Sequence, residues 1–182
     1  MRLLIRGRWC STSDRAPTIA RVSTLRSTRT SSRGCGFSSG SGSVPDLSIL
    51  KDSLQRHTRL RHTFVYSNRT WQEVIFRDAL ERIREQYSAR LRVIHSLTRE
   101  PNPFSYGGDV GVGRIGLDLV RPLLSDQPNS LVYVCGPGVT VWERRACAAQ
   151  GITPTPRFIE TMLSHLDVLR VPRERIKVES YG

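Results

Sequence analysis

Three features of the sequence predict an α/β domain built on a parallel sheet. Past Gly34, short β-rich runs alternate with stretches of helical period, as in chains that thread strand, helix and strand in turn. The longest apolar run, Leu131-Val132-Tyr133-Val134-Cys135, reads as a buried strand and is stopped at once by Gly136-Pro137-Gly138. A Gly/Ser stretch, Gly34 to Ser43, leads directly into Pro45 and three leucines at helical spacing. The length of 182 residues fits one ordinary domain and a tail.

The elements follow in order. Residues 1 to 33 hold 11 Ser or Thr, eight Arg and few large apolar side chains, too little apolar surface to offset the entropy of ordering, and are expected to be disordered. The first strand falls on Ser31 to Ser38. It lacks the apolar run that a central parallel strand needs and is expected to be poorly formed. Pro45, Leu47, Leu50 and Leu54 predict the first helix. Thr63 to Tyr66 is the second strand. Trp71, Val74, Ile75, Ala79, Leu80 and Ile83 give the second helix one apolar face over three turns, with Thr70 and Glu73 spaced as a capping box. Leu91 to His95 is a strand, and the Pro- and Gly-rich stretch to Gly113 is a long loop. A short helix, Leu117 to Leu124, is bent by Pro122 and precedes the apolar strand. Val139, Trp142, Ala146 and Ala149 make one further helical face, and Phe158, Met162, Leu166 and Leu169 another. Arg175 to Val178 closes the sheet, giving three layers with helices on both faces of an open parallel sheet.

Composition excludes several classes of function. An apolar run of five residues is far short of the ~20 that a membrane helix needs. Cys10, Cys35, Cys135 and Cys147 lie far apart with no C-x-x-C pair, so neither a zinc site, nor a cysteine-held iron–sulfur cluster, nor a dense disulfide scaffold is encoded. The net charge of +12 is concentrated in residues 1 to 33, where eight arginines face Asp14 alone. The remainder holds 20 basic and 15 acidic side chains without a continuous stripe, so any nucleic-acid binding through the tail is sequence-nonspecific. An Arg- and Ser-rich, acid-poor start also fits an organelle transit peptide, which implies a mitochondrial protein; read instead as untailored upstream sequence, it implies a cytoplasmic one.

Candidate chemistry clusters at three places. Gly40-Ser41-Gly42-Ser43-Val44-Pro45 lies where a first strand meets a first helix; there glycine permits close approach of backbone to phosphate, and the helix start offers unpaired N–H groups. The same residues read equally as a linker. Ser67-Asn68-Arg69-Thr70 follows the second strand, where an adenosine ribose lies in a dinucleotide site and an arginine fork binds a 2′-phosphate; a turn with a helix cap explains the same residues. Cys135-Gly136-Pro137-Gly138 ends the apolar strand on the same edge of the sheet. A thiol there faces a bound ligand or is simply packed.

The order of these segments carries a resemblance. Ser39 to Pro45, Tyr66 to Thr70, Ile75 to Leu80, Gly113-Arg114-Ile115, Val134 to Pro137 and Glu179-Ser180-Tyr181 together resemble the NAD(P)H-binding half of the ferredoxin-reductase family of flavoenzymes, a Rossmann-like fold. The resemblance covers residues 38 to 182. It implies that Gly40, Ser41, Gly42, Val44 and Pro45 line the pyrophosphate and nicotinamide ribose. Ser67 and Arg69 would meet the adenosine 2′-phosphate, Cys135 and Gly136 would flank the nicotinamide, and Arg114 and Pro137 belong to the same cofactor-binding set. Catalytic roles fall to Cys135, Glu179 and Tyr181, the last at the position of an aromatic residue that covers the flavin. The implied reaction is hydride transfer from NAD(P)H to FAD and onward passage of electrons to an acceptor, with NADP(H) preferred over NAD(H) on the strength of Ser67 and Arg69.

The sequence departs from the family where its first turn glycine is replaced by Ser39. The family's flavin-binding barrel precedes this domain, and residues 1 to 33 are too short and polar to supply it, so FAD is expected only with a flavin domain from another chain. The chain therefore reads as a detached nucleotide-binding half, residues 34 to 182, with a separate flavin domain or electron-acceptor protein as partner. The rival expectation is a non-catalytic interaction module that has lost flavin-dependent activity.

Overall fold

The computed structural model describes residues 33 to 182 apart from 108, 126–128 and 182. The expected disorder of the tail and its targeting role concern residues that, Arg33 aside, lie outside the described ones.

Six parallel strands form one sheet: β1 (Arg33–Ser39), β2 (Arg61–Asn68), β3 (Leu91–Leu97), β4 (Asp109–Val112), β5 (Leu131–Gly136) and β6 (Ile176–Ser180). The strand order is β4-β3-β2-β1-β5-β6. Among the described residues five α-helices connect them: α1 (Ser43–Arg56), α2 (Arg77–Gln86), α3 (Leu117–Ser125), α4 (Val141–Ala149) and α5 (Phe158–Val168). Leu47, Leu50 and Leu54 of α1 and Leu80 of α2 pack on Phe64, Tyr66, Val93 and Leu97 on one face. Leu119, Val120 and Leu123 of α3 and Ile159, Met162 and Leu166 of α5 pack on Phe37, Val65, Ile94, Val132 and Val134 on the other. The sheet is thus buried in the three-layer manner that the alternating elements predict.

The first strand corrects the expectation of poor form, because β1 is a complete seven-residue strand paired on both sides, with β2 and β5. Cys35 and Phe37 are 1% and 0% exposed and supply the core on the α3/α5 face. On the α1 face the strand carries Gly34, Gly36 and Ser38. A Cβ at Gly34 would lie 2.9 Å from His62 Nδ1, and one at Gly36 3.1 Å from Phe64 Cδ2. The large side chains of β2 already fill that space, so β1 needs small residues where the sequence reading looked for apolar ones.

Three further expectations are corrected. The second helix starts at Arg77, and residues 70–76 form turns with Phe76 at φ 60°, so Thr70 caps no helix. The Trp71 N–H is taken by Glu100 Oε2 at 2.9 Å, and its ring stacks on Tyr106 at 4.7 Å; these long-range contacts override the local helical period. The loop before Gly113 contains an edge strand, β4, whose Val-Gly-Val alternation is too short to be distinguished from its glycine-rich surroundings. Finally, α4 buries no residue, and Trp142 is 76% exposed. Its apolar face points away from the core, and the helix is held by a Thr140–Glu143 capping box and an Arg157–Glu143 ion pair.

Candidate functional site at the switch point of the sheet

From β1 the chain builds the sheet outward to β4 on one side and to β6 on the other. The connections after β1 and β5 therefore diverge and leave a crevice at the strands' carboxyl ends, the place where open α/β sheets take ligands. Gly40–Gly42 forms a single 3-10 turn after β1, and α1 begins at Ser43. The buried Tyr66 hydroxyl donates to Gly40 O at 3.0 Å and pins this turn to β2. Gly42 presses on the end of β5: a Cβ there would lie 2.6 Å from the Cys135 carbonyl carbon and 2.7 Å from Gly136 Cα. Two loops about ninety residues apart in sequence are thus brought into backbone contact by the strand order.

Beneath this contact lies a polar row. Ser38 of β1, Cys135 of β5 and Glu179 of β6 are register partners and share the α1 face. Asp46, in the first turn of α1 and 3% exposed, reaches down to the row. Its Oδ2 accepts from Ser38 Oγ at 2.6 Å and its Oδ1 from Cys135 Sγ at 2.9 Å. Burial raises the Asp46 carboxyl above the ordinary range, opposed by the hydrogen bonds from Cys135 and Ser38. Burial, reinforced by the Asp46 carboxylate, pushes the Cys135 thiol strongly upward, so it stays protonated at neutral pH. At the end of β6, the Tyr181 hydroxyl donates to Glu179 Oε2 at 2.8 Å and the Tyr181 N–H to Gly136 O at 3.0 Å. That carboxylate also raises the Tyr181 phenol.

Gly136 and Pro137 leave β5 into a segment fixed from outside. Ile159 N–H donates to Pro137 O at 3.2 Å, and Glu160 Oε1 accepts from Val139 N at 3.0 Å and Arg144 Nη2 at 2.8 Å. Ser41 and Val44 stand exposed at the mouth of the crevice, with Pro45 half-buried beside them. Ser67 is buried at the end of β2 and Arg69 exposed just beyond it. Arg114 follows β4, anchored through Gly113, which is bonded to Leu97 O and Ser96 Oγ. The structure therefore places Gly40, Ser41, Gly42, Val44, Pro45, Cys135, Gly136, Pro137, Glu179 and Tyr181 together at the carboxyl ends of β1, β5 and β6 and the start of α1. Ser67 and Arg69 lie along the same edge, and Arg114 stands apart, roughly 14 Å from β1 at the usual strand spacing.

Residues that sequence reasoning passed over also belong to this edge. Asp46 looked like an ordinary acid in a helix's first turn, and no local pattern announces its contact with a cysteine 89 residues away. Arg99 was findable, because it follows β3 as Arg69 follows β2. Its N–H donates to Arg69 O at 2.7 Å, which sets the two exposed arginines side by side. A groove of about 450 Å³ lies beside α1, bordered by Arg33, Ile49, His62, Leu131 and Tyr133 and reaching Asp46. It follows the first halves of β1 and β5 and ends at Asp46, below the crevice.

A sheet wound both ways from its switch point, with the two divergent loops packed against each other, is the architecture of a Rossmann-like nucleotide-binding domain. The chain belongs to the oxidoreductase NAD-binding domain family, whose model matches residues 37–140. It is 27% identical over 149 residues to one component of the 1,2-phenylacetyl-CoA epoxidase of Escherichia coli, covering 80% of this chain and 39% of that protein. It is 26% identical over 146 residues to the ferredoxin reductase component of 3-ketosteroid-9-alpha-monooxygenase from Rhodococcus rhodochrous, covering 80% of this chain and 33% of that one. The crystal structure of flavohemoglobin from Malassezia yamatoensis, with bound FAD and heme, superposes with a TM-score of 0.61 at 22% identity over 86% of this chain and 33% of its own. The chain spans less than half the length of these relatives and matches their NAD-binding part. Among the described residues no helix is long and apolar enough to cross a membrane.

Proposed function

We propose that this chain is the NAD(P)H-binding portion of a flavin-dependent oxidoreductase and that it prefers NADP(H). The observation that carries the reading is the contact of Gly42 with Cys135 and Gly136, which shapes the crevice and aims the start of α1 across it. Gly40, Ser41, Gly42, Val44 and Pro45 hold the pyrophosphate and nicotinamide ribose in this reading, and the helix start offers N–H groups and partial positive charge to the anion. Cys135, Gly136 and Pro137 flank the nicotinamide, and Ser67 and Arg69 receive the adenosine end, with Arg114 farther out beyond β4. Arg69 and Arg99 are exposed side by side on that edge and form no ion pair among the described residues, so their donors remain available to a 2′-phosphate.

When bound, the reduced nicotinamide supplies a hydride. The family model that this chain matches is that of the NAD-binding domain, so the flavin acceptor is assigned to a separate domain, with an electron-acceptor protein beyond it. Cys135, Glu179 and Tyr181 border the side from which that acceptor approaches. Their work is positioning, since a hydride needs donor and acceptor held about 3 to 3.5 Å apart and no proton relay. A non-catalytic interaction module remains the second reading. It is favoured by the α1-side face of β5 and β6, where Leu131 is 43% exposed and Lys177 and Glu179 are open.

Calorimetric titration of the full chain with NADP⁺ and, separately, NAD⁺ tests the proposal. Binding with NADP⁺ preferred is the expected result. Absence of binding by either overturns the nucleotide-binding reading and leaves the interaction module, while equal affinities overturn the NADP preference alone.

A further inference from the structure

The polar row beneath the crevice has a consequence for which redox form of the nucleotide it favours. We infer that Asp46 places a buried negative charge under the nicotinamide position, so that the crevice binds the oxidised, cationic ring more tightly than the reduced, neutral one. The inference rests on the nucleotide-binding reading and adds to it the redox form that the site selects.

The geometry fixes where the charge lies. Asp46 is 3% exposed, and both of its carboxylate oxygens accept hydrogen bonds from side chains, Ser38 Oγ at 2.6 Å and Cys135 Sγ at 2.9 Å. The two donated hydrogen bonds favour the ionised carboxylate and oppose the burial that raises it, so the charge rests on Ser38 and Cys135 as donors. Among the described residues no Lys, Arg or His forms an ion pair with it. The charge therefore lies buried beneath the crevice, offset in part by the start of α1 but by no ion-pair partner among the described residues. Glu179, in register with Cys135 at the next strand, adds a second carboxylate on the same side, exposed and hydrogen-bonded by Tyr181.

A ring seated against Cys135 lies one van der Waals contact of ~3.5 to 4.0 Å beyond the sulfur, hence roughly 6 to 7 Å from the Asp46 carboxylate. The oxidised ring carries one positive charge and the reduced ring none, so only the oxidised form gains from the carboxylate. At an effective dielectric of about 20, a unit charge pair at that separation shifts a binding ratio by at least about tenfold, even after allowance for the hydrogen bonds that disperse the charge. In redox terms the crevice favours release of hydride: the nucleotide loses a proton with two electrons to its flavin-class acceptor, and the positive charge left on the ring is the species that Asp46 stabilises. Asp46 is a positioning and charge-setting residue here. It acts across the Cys135 sulfur.

The test compares NADP⁺ and NADPH binding to the full chain, wild type and Asp46→Asn, by calorimetry under anaerobic conditions, with 2′,5′-ADP as a ligand lacking the nicotinamide. Asparagine keeps the size and one acceptor oxygen while removing the charge. Wild type is expected to bind NADP⁺ more tightly than NADPH. The variant is expected to lose that preference by about tenfold or more through weaker NADP⁺ binding, with 2′,5′-ADP unchanged. A purely structural role for Asp46 would weaken all three ligands together, and that result overturns the inference. So does an unchanged NADP⁺/NADPH ratio in a variant that still binds both. Should the variant not fold, the wild-type ratio decides, because equal or tighter binding of NADPH contradicts a buried charge at this place. Binding of no nucleotide by folded wild type instead overturns the underlying nucleotide-binding reading.

Discussion

Replacing Gly42 with alanine tests the contact on which the crevice depends. Gly42 has φ −62° and ψ −11°, an ordinary conformation for any residue, so alanine meets no backbone strain there. The whole effect comes from space. The new methyl would sit 2.6 Å from the Cys135 carbonyl carbon and 2.7 Å from Gly136 Cα, about 1 Å inside the favourable carbon–carbon separation. Both obstacles are backbone atoms of a buried central strand, so neither can swing aside as a side chain does. Overpacking of this kind costs ~1 to 3 kcal/mol, which for a domain of this size lowers Tm by about 3 to 10 °C. Function should suffer more than stability, because relief comes from parting the two loops that would hold the pyrophosphate and the nicotinamide. The assay pairs thermal unfolding with NADP⁺ titration of the full chain. Gly151→Ala is the control: Gly151 has φ 66° with nothing within 4 Å of its added Cβ, so it pays a conformational cost of ~1 to 2 kcal/mol far from the crevice. The expected outcome is lower Tm in both variants and lost nucleotide affinity in Gly42→Ala only. Wild-type melting and affinity in Gly42→Ala would refute the argument that these loops touch.

Other substitutions address separate steps. Arg69→Ala should weaken NADP⁺ by about tenfold or more while leaving NAD⁺ nearly unchanged, in line with the loss of a charge-assisted hydrogen bond; equal losses measured by calorimetry would contradict a 2′-phosphate role. Phe37→Ala removes a fully buried side chain from β1 and should cost ~3 to 5 kcal/mol in urea unfolding; a negligible loss would mean that β1 is not the central strand. His95 is 3% exposed, neither ring nitrogen has a hydrogen-bond partner among the described residues, and burial lowers its pKa to about 4. Above its unfolded value of about 6.5 both states hold it neutral and it has no effect on stability. As pH falls from there toward 4, the unfolded chain binds a proton that the folded one excludes, so up to about 3 kcal/mol of stability is lost across that window. His95→Phe, which suits the edge-on contact with Trp71 at 5.0 Å, should flatten the urea midpoint over the same range; an unaltered pH profile would assign the loss to other groups.

Much of the molecule was legible in the sequence because its signals are local. The leucines of α1 repeat at helical spacing, β5 is a continuous apolar run, and Gly136-Pro137 stops it, so the alternation of elements and the parallel class of the sheet follow from residues close together in the chain. The same reasoning aligned the Gly40 turn, the Ser67-Asn68-Arg69 segment and the Cys135 strand end on one edge. It failed where a neighbour from elsewhere sets the requirement. Strand β1 looked too poor to form because its glycines and serine are chosen by His62, Phe64 and Asp46 above them. The start of α2 was misplaced because Trp71 answers to Glu100 and Tyr106.

By itself, then, the sequence determined an α/β chain of parallel strands with a glycine turn, an arginine-bearing strand end and a cysteine strand end on its ligand edge. Only the tertiary structure decided that β1 and β5 lie side by side, that Gly42 bears on Cys135, and that Asp46 joins Ser38 and Cys135 in one buried polar group. The physical reason is range. Periodicity and turn chemistry act over a few residues, whereas strand order and the packing of one loop on another are fixed by burying both faces of the whole sheet at once.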